Sequence, residues 1–196
     1  RVRDLEQELA QQQIHFLSRT EPKSSLEPIE INVDDQFLKD AKVSFYTSGS
    51  TGQAKKIPRN LMQLFNEVAG LEASFKREQQ GIALATVSHQ HIYGLLFKLL
   101  WPLASGRSFY QPQLAFPEDV VDAQQHLTDF NVPNYVVSSP ALLKRWTADV
   151  VLKDCIHVYS SGGKLDSGIR PQLNRPIIEV LGSSETGGIA YRQQDK

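Results

Sequence analysis

Phe45-Tyr46-Thr47-Ser48-Gly49-Ser50-Thr51-Gly52-Gln53-Ala54-Lys55-Lys56 follows directly on an apolar, strand-like run, Val43 to Tyr46. It gathers hydroxyls, two glycines and two lysines into one short loop. Glycines let a backbone bend until successive N–H groups converge on one point, and such a nest binds anions. Thr47, Ser48, Ser50 and Thr51 add donors, and Lys55 and Lys56 add positive charge. This is the chemistry of a phosphate cradle, suited to a nucleoside triphosphate. If a strand resumes at Ile57, residues 47–56 form a strand–loop–strand element that can fold over a triphosphate and lift away.

Two kinds of phosphate loop compete for this string. A Walker loop needs a glycine just before its lysine and a Ser or Thr just after it to hold magnesium. Counted from Gly49, those positions hold Ala54 and Lys56. The string instead resembles the signature of the adenylate-forming enzymes, the acyl-CoA synthetases and their relatives. Their pattern reads Tyr-Thr-Ser-Gly-Ser-Thr-Gly-x-Pro-Lys, and here only Ala54 departs from it. Downstream, His91-Ile92-Tyr93-Gly94-Leu95 resembles the family's histidine segment beside the acyl pocket. Ser161-Gly162-Gly163-Lys164-Leu165 resembles its glycine-rich turn at the adenine. Gly182-Ser183-Ser184-Glu185-Thr186-Gly187-Gly188 resembles its Gly-x-Thr-Glu motif, with Ser184 for the threonine. The matches follow the family's order from about residue 43 onward. Ile57-Pro58, residues 88–94 and Leu99 to Leu103 also resemble one bacterial branch, the acyl-CoA synthetase-like AMP-ligases of fatty-acid-like and aryl polyene clusters.

Bulk properties narrow the class. The 196 residues can bury a sizeable core, and 40% hydrophobic with 22% charged residues is ordinary for a globular protein. A net charge of −1 gives no reason to invoke nucleic acid or an anionic membrane. The single cysteine, Cys155, sits in an apolar run and reads as a small core residue rather than a nucleophile. No apolar run is long enough to span a bilayer and residues 1–13 carry no secretory core, so a cytoplasmic protein is expected.

Along the chain, residues 1–17 suit a helix, Thr20 to Pro28 a connection and Ile29 to Val33 a short strand. Residues 1–40 are thus expected to be an N-terminal helix with its connecting segment, and 41–196 a partial AMP-binding domain. Asn60 can cap a helix, with Gln63 completing a capping box; Leu61, Leu64, Phe65, Val68 and Phe75 form its apolar stripe. Strands are expected at Ile82–Val87, Ser108–Tyr110, Tyr135–Val137, Ile156–Tyr159 and Ile177–Leu181. Helices are expected at Ile92–Leu103, Pro117–Phe130 and Ala141–Trp146. This alternation predicts an α/β fold, a mainly parallel sheet flanked by helices. Ligands bind beyond the carboxyl ends of such strands. Ser138-Ser139, Ser160 to Gly163 and Gly182 to Glu185 each follow a predicted strand and should share one rim.

The resemblance implies a reaction: a carboxylate oxygen attacks the α-phosphorus of ATP, giving an acyl-adenylate and pyrophosphate. A thiol, from coenzyme A or a carrier-protein pantetheine, then takes the acyl group. It implies that Thr47, Ser48, Gly49, Ser50, Thr51 and Gly52 hold the β- and γ-phosphates and that Lys55 neutralises the leaving pyrophosphate. Glu185 would bind Mg2+, Ser184 would donate to the α-phosphate, and Gly162, Gly163, Lys164, Gly182 and Ser183 would border the nucleotide. His91 would face the acid; its other reading is a half-buried histidine bonded to the backbone. Glu185 has a second reading too, a solvated carboxylate near a helix N-terminus. Tyr93 and Trp101 read as core aromatics, and Leu181 stands where many relatives stack an aromatic on adenine.

Arg1 is not an initiator methionine, and Lys196 follows Glu185 by eleven residues. The chain is therefore expected to be a piece lacking the C-terminal domain, with poor turnover on its own. The apolar character of residues 91–103 favours a fatty or aryl acid, and a carrier protein is one expected acceptor. Two other classes stay open at this point: a non-catalytic adenylate-binding module, and a nucleotide hydrolase using Lys55.

Overall fold

A computed structural model describes residues 34–48, 54–75, 81–127 and 132–194. The helix expected over 1–17, the strand at Ile29–Val33 and the loop residues Gly49 to Gln53 lie outside these.

Helix α1 (Asp35–Asp40) precedes the hairpin that carries the glycine-rich loop; Asp34 caps it by accepting from the amide of Phe37 at 2.7 Å. Strands β1 (Lys42–Ser48) and β2 (Ala54–Asn60) then pair antiparallel, in register from Lys42 opposite Asn60 to Ser48 opposite Ala54. Phe45 and Ile57 face each other across this ladder and are buried, whereas Tyr46 and Lys56 on the opposite face are exposed. The hairpin thus presents one apolar face to the rest of the fold and one polar face to solvent. Asn60 ends β2 and opens α2 (Leu61–Ser74) with the full capping box expected: Asn60 accepts from the Gln63 amide at 2.8 Å, and Gln63 accepts from the Asn60 amide at 3.0 Å.

The main sheet runs β3 (Ile82–Ala85), β4 (Asn134–Ser138), β5 (Cys155–Ser160), β6 (Ile177–Ser183) and β7 (Gly187–Gln194), neighbours in that order. The first four are parallel, and β7 returns antiparallel from β6. All five residues of β4 are buried, as expected of a strand covered on both faces. Alternate residues feed two cores. Ala83, Tyr135, Val137, Tyr159 and Ile178 pack with Leu64, Val68, Phe97 and Trp101 on one side. Leu84, Val136, Val158 and Ile177 pack with Val120, Leu143, Trp146 and Ile169 on the other.

The helical run after β3 comprises α3 (Ile92–Gly94), a π-helical segment (Leu95–Leu100) and α4 (Trp101–Ala104). It brings Phe97 and Trp101 against the sheet, and Trp101 is a core residue as expected. Its buried Lys98 donates to the carbonyls of Gln111 and Pro112 at 3.0 and 3.3 Å. Next come α5 (Pro117–Leu127), α6 (Pro140–Leu143) and α7 (Ile169–Leu173).

Several expectations are corrected. Ser108–Tyr110 is not a strand but a single bridge, Phe109 beside Ala83, because three residues give only two ladder bonds there. The helix expected at Ala141–Trp146 starts at Pro140 and ends at Leu143; the Trp146 indole instead closes the next turn by donating to Val150 O at 2.7 Å. Helices α1 and α7 and strand β7 were not anticipated. Gly182 and Ser183 do not follow β6 but end it, with a register shift between Leu181 and Gly182.

Candidate active site

The carboxyl ends of the strands are tied into one rim. Ser138 is in register with Ser160, which pairs with Glu179. Thr86 Oγ1 donates to Ser138 Oγ at 2.9 Å, and Ser161 Oγ to the Val180 carbonyl at 2.8 Å. Beyond that rim β6 runs on through Leu181 to Ser183, turns at Ser184 to Thr186, and returns as β7.

Against the inner part of this hairpin lies a cleft of about 600 Å³. Gly162, Gly163 and Lys164 form one wall, Glu179 to Gly182 the floor, and Tyr191 and Arg192 the other wall. Gly162 carries the turn with φ of 93°, a left-handed backbone that a side chain disfavours. Leu181 is exposed, 62%, and offers this cleft an apolar surface. The buried Glu179 sets the geometry: one oxygen accepts from the Leu165 amide at 3.0 Å, the other from Arg192 Nε at 2.6 Å.

The outer turn meets the β1–β2 hairpin. Lys55 Nζ lies 2.9 Å from Glu185 Oε1, and this hydrogen bond holds the Glu185 carboxyl below the usual carboxylate range. Arg59, three residues past Lys56 and beyond Ile57 and Pro58, donates to the Glu185 carbonyl at 3.0 Å and to Glu67 Oε1 at 3.3 Å. Glu67 on α2 also accepts from the Gly188 amide at 2.9 Å. Ser183 stabilises the turn, accepting from the Thr186 amide at 3.1 Å with its hydroxyl 3.0 Å from that of Thr186. No helix begins near Glu185, which lies in a turn between two strands, so the helix N-terminus of its second reading is corrected; the carboxylate itself is exposed, 45%.

The fold therefore brings Lys55, Ser183, Ser184 and Glu185 to one turn, beside the cleft that Gly162, Gly163, Lys164 and Gly182 line. Thr47 and Ser48 end β1 at the same end of the hairpin, Thr47 opposite Lys55; Gly49, Ser50, Thr51 and Gly52 lie outside the described residues. His91 stands apart. It is exposed, makes no capping bond at the start of α3, and lines a separate cleft of about 440 Å³ with Phe45, Tyr46 and Leu95. The half-buried, backbone-bonded histidine is thus corrected. Arg59, Glu67, Glu179 and Arg192 went unread in the sequence because each acts through a partner distant along the chain.

Comparison with known proteins decides the family. The family described as AMP-binding enzyme matches residues 4–196. The chain belongs to the AMP-binding enzyme family. The chain is 27% identical over 159 residues to a 4-coumarate–CoA ligase of Rhodobacter capsulatus, covering 78% of this chain and 40% of that one. It is 28% identical over 153 residues to the putative long chain fatty acid-CoA ligase VraA of Staphylococcus aureus, covering 74% and 32%. The chain thus spans about a third to two fifths of the length of these relatives. In fold it is similar to apo MatB from Rhodopseudomonas palustris, with a TM-score of 0.67, 16% identity, and coverage of 85% of this chain and 34% of MatB. It is likewise similar to VinN in complex with L-aspartate, with a TM-score of 0.63, 18% identity, and coverage of 84% and 42%. These likenesses show that the chain shares the fold of the matched part of these proteins.

Glu185 and Lys55 are charged groups that meet at the outer turn. Among the described residues no cluster of three or more His, Cys, Asp or Glu could hold a metal ion. A lone carboxylate beside a lysine suits Mg2+ taken up with substrate phosphates, since that ion commonly keeps one or two carboxylates, phosphate oxygens and waters. Among the described residues no helix is long and apolar enough to cross a membrane.

Proposed function

We propose that this chain carries the ATP site of an AMP-forming acid–thiol ligase. The complete protein joins a carboxylic acid to AMP and then passes the acyl group to the thiol of coenzyme A or a carrier protein. In the first step a carboxylate oxygen bonds to the α-phosphorus of ATP while the bond from that phosphorus to the bridging oxygen breaks. Pyrophosphate leaves with the electron pair. Such a transfer depends on positioning and charge neutralisation more than on covalent help.

The observation that carries this reading is the meeting of Lys55 and Glu185 at the edge of the Gly162–Lys164 cleft. Lys55 neutralises the departing pyrophosphate, and the hydroxyls and amides of residues 47–52 hold the β- and γ-phosphates. Ser184 donates to the α-phosphate. Glu185 would hold Mg2+, which when bound polarises the phosphate oxygens. Gly162, Gly163, Lys164, Gly182 and Ser183 border the nucleotide, and Leu181 packs its apolar face on the base in place of a stacking ring.

His91 borders the acid. Val43, Phe45, Tyr46 and Leu95 give its cleft an apolar and aromatic side, and among the described residues no carboxylate lines that cleft to pair an α-amine. This favours a fatty or aryl acid, in keeping with the names of the coumarate and fatty-acid ligases above. The test is hydroxamate formation: the complete encoded protein, ATP, Mg2+, hydroxylamine and a panel of acids. A hydroxamate formed only with ATP present supports adenylation and identifies the acid; ATP cleaved to ADP with no hydroxamate speaks against it.

A further inference from the structure

Arg59 occupies an unusual place. Its side chain is 10% exposed, and from β2 it reaches two other parts of the fold, the β6–β7 turn and α2. One Nη atom donates to the Glu185 carbonyl at 3.0 Å; the other donates to Glu67 Oε1 on α2 at 3.3 Å. Glu67 passes the restraint on, because its second oxygen accepts from the Gly188 amide at 2.9 Å. The turn bearing Glu185 is therefore held on both flanks, at Glu185 itself and at Gly188. Gly187, with φ of 73°, lies so close that an added Cβ would run into the Glu67 carboxylate.

We propose that Arg59 and Glu67 are positioning residues, a strut that fixes the Glu185 turn relative to the strand carrying Lys55. The inference rests on the adenylation reading of that turn. A planar guanidinium serves here because it can donate to a carbonyl and a carboxylate at once, in a geometry that an ammonium cannot reproduce. The Lys55–Glu185 pair is exposed and cannot hold the turn by itself. The strut is sheltered: the Glu67 side chain is 21% exposed. It fixes the backbone from which the Glu185 carboxylate projects before any ligand arrives; outer partners that orient a metal ligand directly are worth about 10–100-fold in metal affinity, which sets the scale to look for.

The experiment uses the complete encoded protein with Arg59→Gln, Arg59→Lys, Glu67→Gln and Gly187→Ala. Two quantities are read: the Mg2+ concentration for half-maximal ATP–pyrophosphate exchange, and the hydrogen-exchange protection of the Gly188 amide. Arg59→Gln and Glu67→Gln should each raise the Mg2+ requirement by about tenfold or more. Arg59→Lys, keeping one bond of two, should fall between. Gly187→Ala, which displaces Glu67, should lower Gly188 protection. A role in folding alone would lower thermal stability without moving the Mg2+ requirement. If Arg59→Gln fails to fold, the near-isosteric Glu67→Gln carries the test. An unchanged Mg2+ requirement in every folded variant overturns the strut. Absence of exchange in the unmodified protein is a different result, since it rejects adenylation itself.

Discussion

Lys55 Nζ and Glu185 Oε1 lie 2.9 Å apart although 130 positions separate them in the chain. Their side chains keep 62% and 45% of their exposure, so the pair sits on the surface, where such contacts add little to stability. What it records is placement. The β1–β2 hairpin and the β6–β7 turn come together so that a cation and a carboxylate meet. On the function proposed above, a triphosphate with its magnesium would give each a better partner, and nucleotide binding would exchange this pair for two others.

The pair makes a prediction about titration. The largest cause of the lowered Glu185 pKa is the hydrogen bond from Lys55. The ion pair is therefore fully formed above the ordinary carboxylate pKa and lost as pH falls through the lowered folded value. In Lys55→Ala the Glu185 carboxyl should titrate higher, back toward 4.5. Carbon-detected NMR of labelled glutamate reads this directly; an unmoved titration would mean that Lys55 does not face Glu185 in solution.

How far the sequence spoke depended on distance along the chain. The Asn60–Gln63 capping box was legible because its two halves are three residues apart. Phe45 and Ile57 were readable as strand residues flanking a glycine-rich loop. β7 was missed because it opens on Gly187-Gly188, residues that weaken a strand, and its exposed Ile189 and Tyr191 give no buried stripe. The Lys55–Glu185 meeting was implied only by resemblance to a family. Arg59 with Glu67 and Glu179 with Arg192 have no local signature, since their meaning comes from the packing of α2 and β7.

A second polar knot should govern stability rather than chemistry. Glu72 Oε2 accepts from Trp101 Nε1 at 2.7 Å, Ser105 Oγ at 3.0 Å and Arg107 at 2.7 Å, and Arg107 also stacks over the Trp101 ring at 4.5 Å. Glu72→Ala leaves the Arg107 guanidinium, 6% exposed, without this carboxylate. The expected loss is about 2–3 kcal/mol. Urea denaturation should show a lower midpoint with an unchanged slope, and an unshifted midpoint would refute the knot.

Cys155 is buried, and burial pushes its thiol from 9.0 up to about 12. The neutral thiol is favoured in the fold, so its contribution to stability is complete below pH 9.0 and fades as pH rises from there to about 12. Iodoacetamide at pH 8 should leave the native protein unlabelled and modify it fully in urea. Rapid native labelling would contradict the buried placement.

Adenylation by this site is tested most directly by carboxylate-dependent ATP–pyrophosphate exchange on the complete encoded protein, with Lys55→Ala and Glu185→Ala alongside. Exchange should appear only when a fatty or aryl acid is supplied. It should fall about a hundredfold or more in each variant, with little change in Tm. Exchange that survives undiminished in Glu185→Ala, or phosphate release that needs no acid, would contradict the account.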